Sequence, residues 1–182
     1  MIQTKADLLL YLQKDKEALG IIRKRPRIVG DVIWKFQIAL RKHEFYHNQA
    51  SVSVGGVFWS LVHYWLGIKL GFSIPINVFD YGLRINHYGY LVVNPGAQIG
   101  KFCDIHQGVN IGQNIELGSV PVIGDNVWIG PGAKLFGRIT IANGIVIGAN
   151  AVVNKSFTEE NITIAGVPAR KVKDSGNPYQ RK

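Results

Sequence analysis

One aliphatic residue returns at every sixth position throughout residues 93–153. A period of six fits neither an α-helix, which repeats about every 3.6 residues, nor a single long strand, whose side chains alternate with a period of about two. It is typical of a chain that makes a very short strand, turns a corner and makes another, so that three hexads close a triangular coil of about eighteen residues. The sequence therefore predicts a parallel β-helix. The aliphatic anchors are Val93, Ile99, Ile105, Ile111, Leu117, Ile123, Ile129, Leu135, Ile141, Ile147 and Val153.

Small residues accompany these anchors. The residue after an anchor is usually small or competent to turn, as at Gly100, Gly124 and Gly130. We expect these positions to form the corners, because glycine and asparagine accept positive φ at low cost. The fourth residue after an anchor is mostly apolar, as at Cys103 and Val109, and is expected to share the narrow interior with the anchors.

The hydrophobic pattern divides the chain into three parts. Residues 1–71 are interpreted as a small helical region, 72–156 as the β-helix, and 157–182 as a tail that packs on it. Within the first part, residues 4–19 and 31–47 each predict a helix. The predicted fold class is mainly β with α-helices in front.

The most apolar run of the chain is VFWSLVHYWLGIKLGF, at residues 57–72. This run is short for a membrane span and is interrupted by His63 and Lys69. We expect a helix buried against the β-helix or against a neighbouring subunit. The alternative is weak contact with a membrane surface, which the eleven Lys and Arg against five Asp and Glu in residues 1–70 would assist.

Charge and cysteine content narrow the class of protein. The chain has a formal net charge of +9 and a single cysteine. One cysteine excludes a disulfide framework, and the charged N-terminus does not resemble a signal peptide, so we expect a cytoplasmic protein. A basic protein can bind nucleic acid, an anionic membrane or a polyphosphorylated small molecule. The sequence contains no nucleic-acid-binding motif, and we predict neither a nucleic-acid partner nor a metal.

An imidazole replaces an aliphatic residue one hexad before Val93. This residue is His87, and its neighbours Asn86 and Gly89 are polar or flexible, which suits the wall of a cleft. A histidine with a pKa near about 6.5 is well suited to take a proton from an alcohol. A structural histidine is the alternative.

The chain resembles the serine acetyltransferases of the hexapeptide-repeat acyltransferase superfamily, most of all their short relatives in surface-polysaccharide gene clusters. The resemblance covers about residues 72–173 and rests on INHYGYLVVNPGAQIGKFCDIHQGVNIG, VIGDNVWIGPGAKLFGRITI, IGANAVVNKSF and IAGVPARKV. It implies a left-handed coil, a homotrimer with active sites between subunits, and acetyl-CoA as co-substrate. His87 aligns with the family's catalytic base.

The resemblance also implies a donor site along the β-helix, with contacts that recur one coil apart. Small residues would allow the pantetheine arm to approach the backbone, and cations would meet the CoA phosphates. Backbone N–H groups within residues 108–112 are expected to stabilise the oxyanion. The candidate donor-site residues are Gly112, Gly132, Ala133, Gly148, Ala151, Lys155, Arg170 and Lys171.

The acceptor side departs from the family pattern. Two acidic residues of the family fall on Asn86 and Phe72, and its Arg-His pair falls on Ser119 and Val120. Free serine would lose its usual charge partners, so we expect a neutral hydroxyl, such as that of a sugar of a surface polysaccharide or its precursor. The alternatives are a serine O-acetyltransferase of cysteine biosynthesis and a non-catalytic β-helix assembly subunit.

Further polar residues complete the candidate site. Asn86 can hydrogen-bond a sugar hydroxyl, and Asp104, eighteen residues later, is expected on the same face. His106 replaces the glycine usual after an anchor and is a second acceptor-site candidate, with a surface or interface histidine as the alternative. Asp80 is a candidate to orient His87.

Overall fold

A computed structural model describes residues 1–49 and 53–181 of the chain. Three helices precede fourteen short strands in these residues. The helices are α1 Lys5–Ala18, α2 Val32–His47 and α3 Val54–Leu70. The strands are β1 Phe72–Ser73, β2 Arg84–Ile85, β3 Leu91–Val93, β4 Gln98–Ile99, β5 Asp104–Ile105, β6 Asn110–Gly112, β7 Val122–Ile123, β8 Trp128–Ile129, β9 Lys134–Phe136, β10 Thr140–Ile141, β11 Val146–Ile147, β12 Val152–Val153, β13 Thr163–Ala165 and β14 Arg170–Lys173.

The strands form the three walls of a parallel β-helix. Their orders are β1-β3-β6-β9-β12, β10-β7-β4 and β14-β13-β11-β8-β5-β2, and each named neighbour is parallel except the antiparallel pair β13 and β14. Ile105 pairs with Ile85 on one side and Ile129 on the other, and all three are buried. Cys103 and Val109 share this interior, as predicted.

Leu117 does not belong to the ladder of anchors. It is 90% exposed in the loop between β6 and β7. Ile123 pairs with Ile99, twenty-four residues earlier, whereas Ile141 pairs with Ile123 after the regular eighteen. The loop therefore inserts six residues, which is one hexad, and the register resumes by coincidence. The prediction of an unbroken repeat is wrong at Leu117.

The corners also differ from the prediction. Positive φ occurs three residues before an anchor, as at Asn126, Gly132 and Asn150, and among the described residues it directly follows a predicted anchor only at Gly118 in the β6–β7 loop. The small residues after the anchors have another cause, which is the close stacking of coils. A Cβ on Gly124 would lie 2.4 Å from the Asn143 side chain and 3.1 Å from the Ala142 backbone, and one on Gly130 would lie 2.7 Å from the Ala149 nitrogen.

Helices α1 and α2 form close to the predicted positions. The Thr4 hydroxyl accepts a hydrogen bond from Asp7 N at 3.1 Å and caps α1. Asp31 precedes α2 in the left-handed conformation. The first two helix predictions are therefore confirmed within a residue or two.

A buried ionic cluster attaches these helices to the first coil. The Arg41 guanidinium donates to Asp15 Oδ2 at 2.8 Å, to Glu44 Oε2 at 2.9 Å and to the Phe79 carbonyl at 2.8 Å. Asp15 Oδ1 in turn accepts from Leu83 N at 2.9 Å. These bonds fix the segment that leads into β2, so the helices position the start of the His87 corner.

Helix α3 is only partly buried. Leu66 and Leu70 belong to the same core as Phe72 of β1, whereas Phe58 and Trp65 are more than half exposed. The outer face of α3 is therefore not buried against its own β-helix, and burial against a neighbouring subunit stays a prediction. None of the described helices combines the length and the hydropathy needed to cross a bilayer.

The C-terminal tail returns along one corner of the β-helix. The parallel coil continues to β13, beyond residue 156, and β14 then turns back against it. Asn177 N donates to the Gly144 carbonyl at 2.8 Å, and Arg181 N donates to Asn126 Oδ1 at 2.7 Å. The tail thereby brings Arg181 back towards earlier coils. Lys182, the last residue of the predicted tail, lies outside the described residues.

Candidate active site

His87 lies on the corner between β2 and β3. Its side chain is exposed, and it makes no hydrogen bond with another described residue of the protomer. A base that faces solvent on a β-helix corner is accessible to an acceptor hydroxyl, which suits general-base chemistry. The catalytic role of His87 remains a prediction.

Phe72 and Asp80 make no hydrogen bond with His87 within the described protomer. Phe72 is buried, with its ring centroid 5.0 Å from that of Phe36, so its position in the family pattern has become part of the core. Asp80 precedes β2 and His87 follows it, and Asp80 Oδ1 accepts from Tyr81 N at 2.7 Å. Asp80 also faces Tyr11, whose pKa is raised by burial first and then by a hydrogen bond to Asp80. Asp80 therefore has other partners within the described protomer, and a role in orienting His87 stays a prediction.

Asn86 and Asp104 are in contact, as expected. Asn86 Nδ2 donates to Asp104 Oδ1, and Asp104 is only 4% exposed. The two residues are eighteen apart, as in a regular coil, but Asp104 pairs with Arg84, which is twenty residues earlier. The first coil thus contains two more residues than a regular one, and the Asn86 side chain reaches back to Asp104.

Two arginines that the sequence analysis missed face the same carboxylate. Arg84 forms an ion pair with Asp104, with 3.2 Å between its guanidinium and Oδ2. The pKa of Arg181 is lowered by burial first and then by the positive charge of Arg84, whereas the charge of Asp104 acts in the opposite direction. Two guanidinium groups and one carboxylate leave a net positive charge on this wall. This is an environment in which an anionic group of a ligand is stabilised.

His106 lies next to this cluster and is held by the neighbouring coil. Its Nδ1 is 3.0 Å from the Ile129 carbonyl and 4.0 Å from Asp104 Oδ1, and its ring centroid is 4.6 Å from that of Trp128. A carbonyl oxygen only accepts, so Nδ1 must carry the proton in this hydrogen bond. Nε2 is then the acceptor nitrogen of the neutral ring. The structure places His106 near Asn86 and Asp104, and a role in acceptor binding stays a prediction.

Gln107 is a second residue that the sequence analysis missed. The pairing of β2 with β5 brings residue 107 beside residue 87, and a Cβ on Gly89 would lie 3.5 Å from the Gln107 Cβ. The Gln107 Oε1 atom is buried and has no hydrogen-bond partner among the described residues. A buried acceptor without a partner is uncommon, and it points to a donor supplied by a ligand, a water molecule or another subunit. Counting twenty residues from His87 would have identified it, but the extra residues of the first coil were not recognised.

The candidate donor-site residues divide into inner and outer positions. Ala133 and Ala151 are fully buried, so their methyl groups face the interior and only their backbone could approach CoA. Gly132 and Gly148 are partly exposed, as is Gly112 at the end of β6. A Cβ on Gly132 would lie 2.1 Å from Asn150 Oδ1, and one on Gly148 would lie 2.8 Å from the Ala165 Cβ. Coil stacking by itself therefore explains the two outer glycines.

The candidate cations differ in availability. Lys171 forms ion pairs with Glu159 at 2.6 Å and with Asp174 at 2.5 Å, and these two carboxylates raise its pKa. Lys155 is exposed, with its Nζ 5.4 Å from the Phe157 ring centroid, and Arg170 is exposed on β14. Lys155 and Arg170 are thus better placed to meet a phosphate than Lys171, whose charge is already paired.

The backbone limits where an oxyanion could bind. Gly108 N donates to the Tyr90 carbonyl at 2.6 Å, and Asn110 N donates to the Ala133 carbonyl at 3.0 Å. Both amides are engaged between coils. The range 108–112 proposed for the oxyanion therefore loses these two donors.

Comparison with known proteins places this geometry in a family. Residues 121–155 match the family model "Bacterial transferase hexapeptide (six repeats)". The serine acetyltransferase of Staphylococcus epidermidis is 30% identical over an alignment that covers 93% of this chain and 78% of that protein. The chain belongs to the serine acetyltransferase family. The serine acetyltransferase of Staphylococcus aureus is similar at 29% identity, again over 93% of this chain and 78% of the relative.

Solved structures of serine acetyltransferases share the fold. The enzyme from Brucella abortus in complex with coenzyme A has a TM-score of 0.72 at 25% identity, covering 95% of this chain and 70% of that chain. The soybean enzyme complexed with serine has a TM-score of 0.70 at 26% identity, covering 92% and 70%. The predicted left-handed parallel β-helix and the resemblance to this family are confirmed. As a member of the serine acetyltransferase family, the chain is an acyltransferase.

Proposed function

We propose that this serine acetyltransferase family member transfers the acetyl group of acetyl-CoA to the hydroxyl of L-serine. The observation that carries the proposal is the relationship to serine acetyltransferases over 93% of the chain. It extends through the helical region, so it is not limited to the hexapeptide repeat that many acyltransferases share. This places the serine alternative ahead of the sugar acceptor expected from the sequence.

His87 would act as general base in this reaction. Its imidazole takes the proton of the serine hydroxyl while the oxygen attacks the thioester carbonyl carbon. The tetrahedral intermediate then collapses with loss of the CoA thiolate, which receives the proton from the imidazolium. Because His87 has no hydrogen bond within its own described protomer, its orienting partner is expected from the substrate or from a neighbouring subunit.

The charges of serine would be met by residues other than those of the family pattern. Arg84 and Arg181 share one carboxylate, Asp104, so their excess positive charge can bind the serine carboxylate. The Gln107 Oε1 atom lacks a donor, and the serine ammonium group supplies one. Arg84 and Gln107 of the first coils, with Arg181 of the tail, thus offer the charge and hydrogen-bond partners that Asn86 and Phe72 cannot.

A neutral sugar hydroxyl remains the second candidate acceptor. The observation that favours it is the loss of charge at four positions where the family pattern contacts serine. Phe72 is buried in the core, and Asn86 is already bonded to Asp104. Ser119 is buried, and both it and Val120 are uncharged.

The test measures release of free CoA thiol from acetyl-CoA with L-serine, with L-serinamide and with a panel of nucleotide sugars. We expect turnover with L-serine, a KM at least about tenfold higher for L-serinamide because it lacks the carboxylate, and a kcat about 10²–10⁴-fold lower in His87→Ala. Arg84→Ala should abolish the preference for serine over serinamide, whereas Arg138→Ala, which removes an exposed arginine between β9 and β10, should retain it.

The outcomes separate the candidates. Turnover with a sugar and none with serine would assign the neutral-hydroxyl reaction. Equal use of serine and serinamide by the wild type would refute the role of Arg84 and Arg181. Activity that survives in His87→Ala would show that another group is the base, and no turnover with any acceptor would leave the assembly-subunit alternative.

A further inference from the structure

The outer face of α3 is an exposed apolar surface. Its side chains recur every three or four residues, so they lie along one side of the helix. Between 52% and 70% of each is exposed. We call this surface the α3 outer face, and its members are Val57, Phe58, Leu61, Tyr64, Trp65 and Ile68. A soluble monomer rarely exposes so large a contiguous apolar area, so this face marks an interaction site.

The basic loop between α1 and α2 extends this surface. Ile28 and Val29 are 98% and 86% exposed at its tip. The same groove is lined by Ile28 and Val29 from the loop and by Trp65 and Lys69 from α3. The loop and the C-terminal half of α3 therefore form one continuous apolar and basic surface.

Cations adjoin this surface, both on α3 and in the neighbouring loop. Residues 20–30 contain four Arg and Lys and no Asp or Glu, and α3 contains Lys69 and no acidic residue. Lys42 Nζ lies 4.0 Å from the centroid of the Trp59 ring, and Lys69 Nζ lies 4.9 Å from that of Trp65. Of the nearby acids, Glu44 is buried against Arg41, and Asp31 is paired with Arg23.

We propose that the α3 outer face docks on the surface of an anionic lipid bilayer. Aromatic and aliphatic side chains on one face of a helix, with Lys and Arg at its edge, are the composition of helices that lie in the membrane interface. Negative headgroups attract the adjoining cations. A second copy of the chain docked face to face on this surface would instead bring like charges together.

The geometry requires α3 to lie on the bilayer and not across it. The inner face of α3 packs on the first coil through Leu66 and Leu70, so only the outer face is available to lipid. The axis of α3 is then parallel to the membrane surface, with Phe58, Leu61 and Trp65 inserted at the level of the headgroups. Docking would hold the enzyme at the membrane without altering the β-helix.

The test is flotation of the full-length protein with vesicles of phosphatidylcholine alone or with 30% phosphatidylglycerol, a fraction of about one third chosen to resemble an anionic membrane. Binding is expected only to the anionic vesicles, with a fall of about tenfold or more when the salt is raised from about 0.05 to 0.5 M. Phe58→Ser with Leu61→Ser should lower binding at least about tenfold, and Lys69→Glu should lower it by about fivefold.

Matched controls replace apolar or cationic side chains that lie outside the α3 outer face. Ile115 and Leu117 are 98% and 90% exposed on the β6–β7 loop, so Ile115→Ser with Leu117→Ser should leave vesicle binding unchanged. Lys173→Glu, on β14, is the matched charge control. An independent readout on the wild type is a blue shift of tryptophan fluorescence on addition of anionic vesicles, because Trp65 would leave water.

Two results would overturn the proposal. One is a wild type that neither floats with anionic vesicles nor shifts its fluorescence. The other is a fall in the molar mass of the assembly, measured by light scattering, in Phe58→Ser with Leu61→Ser, with vesicle binding unaffected. That result would assign the face to a second copy of the chain.

Discussion

Acid should destabilise this protein through a histidine that no proposed reaction step uses. His63 of α3 is 9% exposed, with its Nδ1 3.0 Å from His43 Nδ1 and its ring centroid 5.1 Å from that of Phe36. Its pKa is lowered to about 4, by burial first and then by the positive charge of His43, while a hydrogen bond to the Ile74 backbone acts in the opposite direction. The pKa of His43 is also lowered, by burial first and then by His47.

The sign of the effect follows from proton binding in the two states. Between the folded pKa of about 4 and the unfolded pKa of about 6.5, the unfolded chain binds the proton and the folded protein does not. The His63 contribution to stability is therefore fully present above about pH 6.5 and decreases as the pH falls. At about 1.4 kcal/mol per pKa unit, it amounts to about 2.5 kcal/mol between pH 7 and pH 4.5.

Urea unfolding at a series of pH values measures this contribution. The free energy of unfolding of wild type should fall between pH 7 and pH 4.5 by about 2.5 kcal/mol more than that of His63→Gln, which has no ionisable ring. His87→Gln is the control, since His87 is exposed and has no hydrogen bond within the described protomer, and its pH dependence should match that of wild type. Parallel curves for wild type and His63→Gln would show that the buried histidine pair does not set the acid stability.

Two further changes test the coil and the acceptor site. Positive φ costs an alanine about 1–2 kcal/mol, and Gly132→Ala should lower the free energy of unfolding by more than this, because its Cβ would also meet Asn150 Oδ1 at 2.1 Å. Gly20→Ala is the control, since Gly20 has positive φ but nothing within 4 Å of an added Cβ. Equal losses for the two variants in urea unfolding would exclude the steric effect. Gln107→Leu should change the free energy of unfolding by no more than about 1 kcal/mol, since the buried Oε1 has no hydrogen-bond partner to lose among the described residues. The same variant should lower kcat/KM for the acceptor about tenfold. A large loss of stability would show that Gln107 supports the fold and does not bind the acceptor.

The hexad repeat made the fold predictable because each coil buries the same kind of residue at the same position. Anchors such as Ile105 and Ile129 stack directly on each other, so a purely local pattern reports a long-range contact. The same regularity concealed two departures. The six-residue insertion around Leu117 keeps the period intact, and the two extra residues of the first coil shift the pairing of Arg84 with Asp104 without any local sign.

The candidate site was less predictable, because its residues are distant in the sequence. Asn86 and Asp104 could be matched by counting along the repeat, and their contact exists. Arg181 lies in the tail, where no periodicity applies, and reaches the site only because the tail returns along the corner formed by Asn126 and Gly144. The unpartnered oxygen of Gln107 is a property of packing and has no signature in the sequence.

The sequence alone determined the β-helix, the helices in front of it and a histidine placed on a corner where an anchor was due. Periodicity and local propensity carry that information, because each coil contacts mainly its neighbours. The tertiary structure decided which polar groups share a wall, which amides are free to bind a ligand and which face of α3 stays exposed. These depend on registers, insertions and the path of the tail, because each of them decides which distant residues meet and the hexad period reports only the contacts between regular coils.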